Sequence, residues 1–158
     1  MDIISEVTSR PNLFQRLKAM PRNVWAVSLT SFFMDISTEM VINILPLFLS
    51  NVLGVRTVVI GAIEGAAEAT ASILKVFSGW LSDKLRARKW LAVVGYGLSA
   101  IAKPFFYIAN SAGMIAGVRV ADRIGKGVRT APRDALVADS VDTKQRGLAF
   151  GFQRAADT

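Results

Sequence analysis

The chain of 158 residues contains no cysteine and no histidine. The first absence excludes disulfides and cysteine-ligated metal sites. The second removes the side chain that titrates most readily near neutrality, so a pH-dependent step would have to run through carboxylates. No thiol or imidazole is available to build a nucleophile–base pair, and no serine has a paired base. The glycine-containing stretch "RIGKGV" lacks the G-x-x-x-x-G-K-(S/T) spacing of a phosphate loop. The expectation is a non-enzymatic protein with no cofactor and no metal. A cleaved signal peptide is not expected either: the first apolar block begins late, exceeds a signal core in length and carries Asp35 and Glu39.

What is abundant is apolar sequence in blocks. The overall hydrophobic share, 52%, is close to that of soluble domains and decides little. The distribution is more telling, because a membrane-spanning helix needs about 20 apolar residues in succession. Four such segments are predicted, at about 24–49, 58–78, 90–109 and 114–138, with a fifth beginning at 147 and stopping at 158. Pro46 is expected to kink the first near its far end, and Pro104 lies within the third. Residues 1–23 precede them as a leader. Within it "RPNLFQRLKAMPR" places Leu13, Phe14, Leu17 and Met20 on one helical face, as in a helix lying on a membrane surface; a disordered basic leader is the competing reading. The fold class is an all-α membrane protein.

The net charge of +7 invites a nucleic-acid reading, but its placement argues otherwise. The leader carries Arg10, Arg16, Lys18 and Arg22. The second-to-third connection carries Lys84, Arg86, Arg88 and Lys89, and the fourth-to-fifth Lys144 and Arg146. The connections on the other side have only Arg56. This asymmetry is the one that cytoplasmic loops show, and it places the N-terminus inside, with the lipid bilayer rather than nucleic acid as the partner.

Charge inside the spans is the informative part. Asp35, Glu39 and Asn43 follow one another at steps of four, so they share a helical face. Glu64 and Glu68 share another, with Lys75 on the same side, and Lys103 stands in the third segment. In the fourth, Arg119, Arg123, Lys126, Arg129 and Arg133 recur at steps of four, three, three and four, a stripe about 120° wide. Asp122 and Asp134 flank it; Ala121, Ile124, Val128, Ala131 and Ala135 form the opposite face. One charge at the centre of a lone membrane helix costs about 2.5–3.5 kcal/mol, so five facing lipid would cost on the order of 10 kcal/mol or more. The stripe therefore faces other helices or water. Asp35, Glu64, Glu68, Arg123 and Lys126 count to mid-depth, where transporters keep substrate and coupling-ion sites. Six carboxylates against seven cations would equally allow mutual pairing in a purely structural network.

Two stretches carry a resemblance. "GWLSDKLRARK", Gly79 to Lys89, resembles the loop motif G-x-x-x-D-(R/K)-x-G-(R/K)-(R/K) of the major facilitator superfamily of secondary transporters, with Gly79, Asp83, Lys84 and Arg88 in register. Arg86 replaces the usual glycine and Ala87 a usual basic residue, so a different turn is expected there. "RIGKGVRTA", Arg123 to Ala131, resembles the fourth-helix motif R-x-x-Q-G-x-G-x-A; Arg123, Gly127 and Ala131 match, and Lys126 and Arg129 stand at the usual glutamine and second glycine.

The resemblance implies alternating access in a bundle of about twelve helices, with the loop latching the cytoplasmic side. It implies that Arg123 takes part in proton or substrate coupling. Asp35, Glu39, Glu64 and Glu68 are then candidate proton-coupling or pairing carboxylates, and Arg119, Arg123, Lys126 and Arg129 candidate contacts for those acids or for a small solute. The extra cations Lys126 and Arg129 would favour an anionic one. The chain would be the N-terminal portion of such a transporter, a fragment or truncated product in the cytoplasmic membrane, with the missing C-terminal half as its partner. Two other readings compete: a non-transporting membrane scaffold or inert truncated product, and a four-helix dimeric exporter of the small multidrug type.

Overall fold

Proline marks two helix boundaries, at Pro21 and Pro104, and charge decides which helix lies inside. The computed structural model describes residues 13–157. Among these, α1 is the short helix Leu13–Lys18 and α2 runs Arg22–Asn51, entered from Pro21. There the missing N–H would be one of the unbonded first-turn donors in any case. Helix α3 runs Thr57–Leu85, α4 Arg88–Ala102, α5 Phe105–Ile108 and α6 Ala112–Ser140. A 3-10 turn, Thr143–Gln145, leads into α7, Arg146–Ala156. The observed helices overrun the sequence-predicted segments by a few residues at most ends.

The two mid-segment prolines behave differently. Helix α2 continues through Pro46 as one element, as α6 does through Pro132. At Pro104 the helix stops, with α4 ending at Ala102 and α5 starting at Phe105, because proline cannot donate to the preceding turn and its ring crowds that turn's carbonyl. Lys103 sits in the break and its Nζ donates across to α2, to the Met34 carbonyl at 2.7 Å and to Thr38 Oγ1 at 2.9 Å.

The cross-helix partners define the topology. Arg119 meets Glu64, Arg123 meets Glu68, Ser78 meets Gly127 and Gly79 meets Ala131, so residue numbers rise together and α3 and α6 run parallel. Between α2 and α6 the numbers run oppositely, Ser31 to Arg133 and Asp35 to Arg129, which makes that pair antiparallel. Ser31 to Tyr96 and Thr38 to Lys103 set α2 and α4 parallel. The four long elements therefore alternate in direction, and α6 lies against both α3 and α4.

The closest approach is between α4 and α6. A Cβ on Gly95 would lie 2.6 Å from Arg129 Cβ and 2.8 Å from the Gly125 carbonyl oxygen, so backbone touches backbone there. Small residues at membrane-helix crossings serve this purpose.

The layering inverts that of a soluble domain. Val58, Phe77, Trp90 and Tyr107 lie on the outside, whereas Arg119, Asp122, Arg123, Arg129 and Arg133 are buried. Apolar cores close the two ends. One joins Met20, Val24 and Val27 to Val137 and Ala149, with Leu17 of α1 packed on it; the other joins Leu45, Leu49, Ile60, Ala109 and Ile115. Leu13 and Phe14 of α1 stay exposed, and Arg10 of the predicted leader helix lies outside the described residues. Three helical stretches are long and apolar enough to cross a membrane, Arg22–Asn51, Thr57–Leu85 and Arg88–Ile108. Helix α6 is as long as α3 and owes its lower hydropathy to the buried charges.

Candidate functional site

Between the two apolar ends the charged faces of α2, α3, α6 and α7 converge. Glu64 and Glu68 are the eighth and twelfth residues of α3; Arg119 and Arg123 are the eighth and twelfth of α6. Because the two helices are parallel and in register, each acid finds an arginine. Arg119, 1% exposed, presents Nε to Glu64 Oε1 at 2.9 Å and Nη2 to Oε2 at 2.8 Å, the fork geometry that arginine and carboxylate share. Its Nη1 also lies 3.9 Å from Asp122. Arg123 reaches Glu68 by a single contact of 3.1 Å to a carboxylate that is 58% exposed, and its buried Nε has no acceptor.

Nearly two turns further along α6, Arg129 is fixed from several sides. It lies 3.8 Å from Asp35 of α2, donates to Ser99 Oγ at 3.0 Å and stacks over the Tyr96 ring at 4.7 Å. Ser99 in turn donates to the Asp122 carbonyl at 3.0 Å, and Tyr96 shares a 2.6 Å hydrogen bond with Ser31. Arg133 completes the stripe. It bonds Ser31 at 3.2 Å, Asp134 at 3.0 Å and Asp157, just past α7, at 2.9 Å.

These groups border a polar cavity of about 340 Å³, lined by Asp35, Glu68, Lys75, Lys126, Arg129, Arg133, Arg154 and Asp157 among others. Its volume is in the range of small-molecule sites. Of the sequence-predicted residues, Asp35, Glu68, Lys126 and Arg129 line the cavity, and Arg123 meets it through Glu68. Glu64 and Arg119 lie one turn beyond and are engaged with each other. Glu39 is not part of the cluster: it is exposed and makes no ion pair among the described residues.

Arg133, Asp157 and the Ser31–Tyr96–Ser99 group were not among the predicted site residues. Arg133 continues the stripe by one more step of four and was detectable from that spacing. Asp157 was not, because its partner lies 24 residues away in sequence and on another helix.

The basic loop residues form a second cluster at the end of the bundle where α3 stops and α4 starts. Arg88 contacts Asp83 at 3.4 Å and pairs closely with Asp139 near the end of α6, and Lys84 lies over the Trp80 ring at 4.9 Å. Gly79 faces Ala131, where an added Cβ would be 3.3 Å from the alanine methyl, so the two motif stretches pack on each other. Arg86, in the place of the usual glycine, adopts φ 51° and ψ 25°. The different turn expected from this replacement is not what the structure shows: the left-handed turn that glycine favours is present although the residue is not.

Comparison with known proteins agrees with this architecture. The model of the Major Facilitator Superfamily matches residues 27–158. An uncharacterized MFS-type transporter of Methanocaldococcus jannaschii is 39% identical over 141 residues, covering 89% of this chain and 35% of the relative. An uncharacterized protein of Mycobacterium tuberculosis is 34% identical over 106 residues, 66% of this chain and 26% of the relative. Quinolone resistance protein NorA of Staphylococcus aureus is 24% identical over 136 residues, 86% and 34% respectively. The chain thus spans about a third or less of the length of the curated relatives it matches. No solved structure matches it. An all-α multi-pass bundle with paired charge in its interior, matched by the family model over most of its length, belongs to the Major Facilitator Superfamily.

Proposed function

We propose that this chain forms part of a secondary transporter that moves a small solute across the cytoplasmic membrane by alternating access, with a proton as the coupling ion. The observation that carries the reading is the polar cavity, bordered by charges from α2, α3, α6 and α7 and lying between two apolar cores. A bundle that needed charge only for cohesion would close its pairs against one another. Here Glu68 is more than half exposed and Arg123 has an unused buried donor beside it.

The chemistry follows from that asymmetry. A carboxylate paired with an arginine favours its ionised form, and one that loses its partner to a low-dielectric environment favours the proton. Protonation of Glu68 removes the counter-charge of Arg123, and rocking of the bundle exposes the acid to the opposite side for release. Asp35, opposite Arg129 at 3.8 Å, is the second acid placed for this exchange. Glu64 and Arg119 act as the fixed pair that holds α3 and α6 in register. Gly79, Asp83, Lys84 and Arg88 form the cytoplasmic latch, consistent with an N-terminus inside.

The test uses the whole membrane protein. Arg123→Ala is expected to abolish solute uptake while the protein still inserts; undiminished uptake overturns the assignment. This chain has no cysteine, so single cysteines at positions 35 and 123, with any cysteine elsewhere in the whole protein replaced, report on water access. Labelling of both by a membrane-impermeant thiol reagent is expected. If neither reacts in any state, there is no aqueous path and the scaffold reading holds instead.

A further inference from the structure

The cations of the long helices divide by residue type. Arg119, Arg123, Arg129 and Arg133 each lie within 4.0 Å of a carboxylate. Lys75, Lys103 and Lys126 do not, among the described residues. Lys103 is accounted for by neutral acceptors on α2, the Met34 carbonyl, Met34 Sδ and Thr38 Oγ1. Lys75 of α3 and Lys126 of α6 have no such set, and both line the cavity.

The acids that line it are already engaged: Asp35 with Arg129, Glu68 with Arg123, and Asp157 with Arg133. Around Lys126 the charged groups are Glu68 and Asp35 on one account and Arg123 and Arg129 on the other, so the acids near it are matched by arginines before the lysine is counted. The bundle therefore leaves two ammonium charges facing the cavity without a dedicated counter-charge.

We propose that this cavity is an anion site, in which Lys75 and Lys126 bind the carboxylate or phosphate group of a small solute. The inference rests on the transport reading for its purpose but not for its physics. Lys126 is half-buried whereas Lys75 is exposed at the cavity wall. Taking an ammonium out of water is costly unless an opposite charge meets it, and a solute anion held between the two supplies that charge to Lys126 while Lys75 reaches in as a second contact. Lysine suits the task. Its ammonium is a compact charge on a flexible stem that can follow a solute, whereas the arginine fork, used here for the fixed pairs, is the better choice for lasting bidentate contacts. The cavity has room for a small organic acid and several waters.

The experiment is ligand-induced thermal stabilisation of the purified whole protein, since a ligand that binds only the folded state raises the melting temperature with the logarithm of its concentration once that exceeds Kd. The probes are inorganic phosphate, succinate and, as the opposite charge, tetraphenylphosphonium. Stabilisation by phosphate or succinate that rises logarithmically with concentration is expected, and which of the two acts distinguishes a phosphate from a carboxylate ligand. Lys75→Gln and Lys126→Gln should each weaken the apparent affinity by about tenfold or more, the loss of one charge-assisted contact. Lys75→Arg and Lys126→Arg should retain binding and show that the site still folds.

Stabilisation by tetraphenylphosphonium alone, or anion binding that survives Lys75→Gln/Lys126→Gln together, overturns the proposal. Solute flux in proteoliposomes separates the two levels. Anion binding without any flux leaves the anion site standing and counts against transport. Flux of a cationic solute that ignores both lysines overturns the anion site and leaves transport standing.

Discussion

Arg119 grips Glu64 with two donors at 2.8 and 2.9 Å, and one turn along the same pair of helices Arg123 touches Glu68 with one donor at 3.1 Å. The two contacts have the same residue types, the same helices and the same sequence offset, yet one is enclosed and the other opens onto a cavity. The difference predicts different consequences on substitution.

Removing one side of the enclosed pair leaves a charge without its partner. Arg119→Met should destabilise the bundle by about 3–5 kcal/mol, and Arg119→Met/Glu64→Met together should restore part of the loss, because Glu64 then needs no counter-charge while buried Asp122 still lacks the arginine 3.9 Å away. Unfolding in mixed detergent micelles with the double-mutant cycle measures both. A double variant no more stable than the single one would show that the pair is not a self-contained unit.

Glu68→Gln should cost less stability than Arg119→Met, since the amide oxygen can still accept from the buried Arg123 and only the counter-charge is lost. Its effect is expected on coupling: uptake driven by a pH gradient should fall to the level of passive exchange while solute binding persists. A retained response to the gradient would assign the proton to another acid, with Asp35 next to be tested.

The α4–α6 crossing makes a steric prediction with an internal control. Gly125→Ala would place its methyl against Ser99 Oγ and the Gly95 carbonyl, within a contact that has no room for it. Overpacking of this kind costs about 1–3 kcal/mol. Gly97→Ala, two residues from Gly95 but with nothing within 4 Å of the added methyl, should be neutral or stabilising by up to about 1 kcal/mol through helix propensity. Thermal unfolding of the two variants side by side is sufficient.

At the C-terminal end of α3, Arg86→Gly should raise stability by about 1 kcal/mol, because a left-handed backbone at φ 51° costs an L-residue about 1–2 kcal/mol that glycine does not bear. Loss of stability would mean that the arginine side chain contributes more at this turn than its backbone costs.

The elements that follow from local pattern were legible in the sequence. Runs of apolar residues marked the long helices, and the steps of four and three from Arg119 to Arg133 marked a helix with one polar face turned inward. What could not be read was which helix each charge meets. Periodicity assigns Glu39 to the same face as Asp35, yet one turn further along α2 it stays exposed, while Asp35 faces Arg129. Pairing depends on crossing position and axial register, which arise from contacts such as Gly95 on Gly125 that only the folded bundle brings together. Pro104 and Pro46 illustrate the same limit. Both sit in apolar segments, and the chain interrupts its helix at one and continues through the other.

The burial of α6 also bears on how the protein is made. Each of its central charges would meet an insertion cost of about 2.5–3.5 kcal/mol if the helix entered lipid alone. Glu64 and Glu68 on α3 and Asp35 on α2 precede it in the chain, so its counter-ions are synthesised first and can wait at the membrane for it. Asp157 comes after, and the partner set of Arg133 is completed only once α7 has been made. The order of residues along the polypeptide is thus also an order of assembly, in which the most hydrophilic helix enters the bilayer through a cleft its predecessors have already charged.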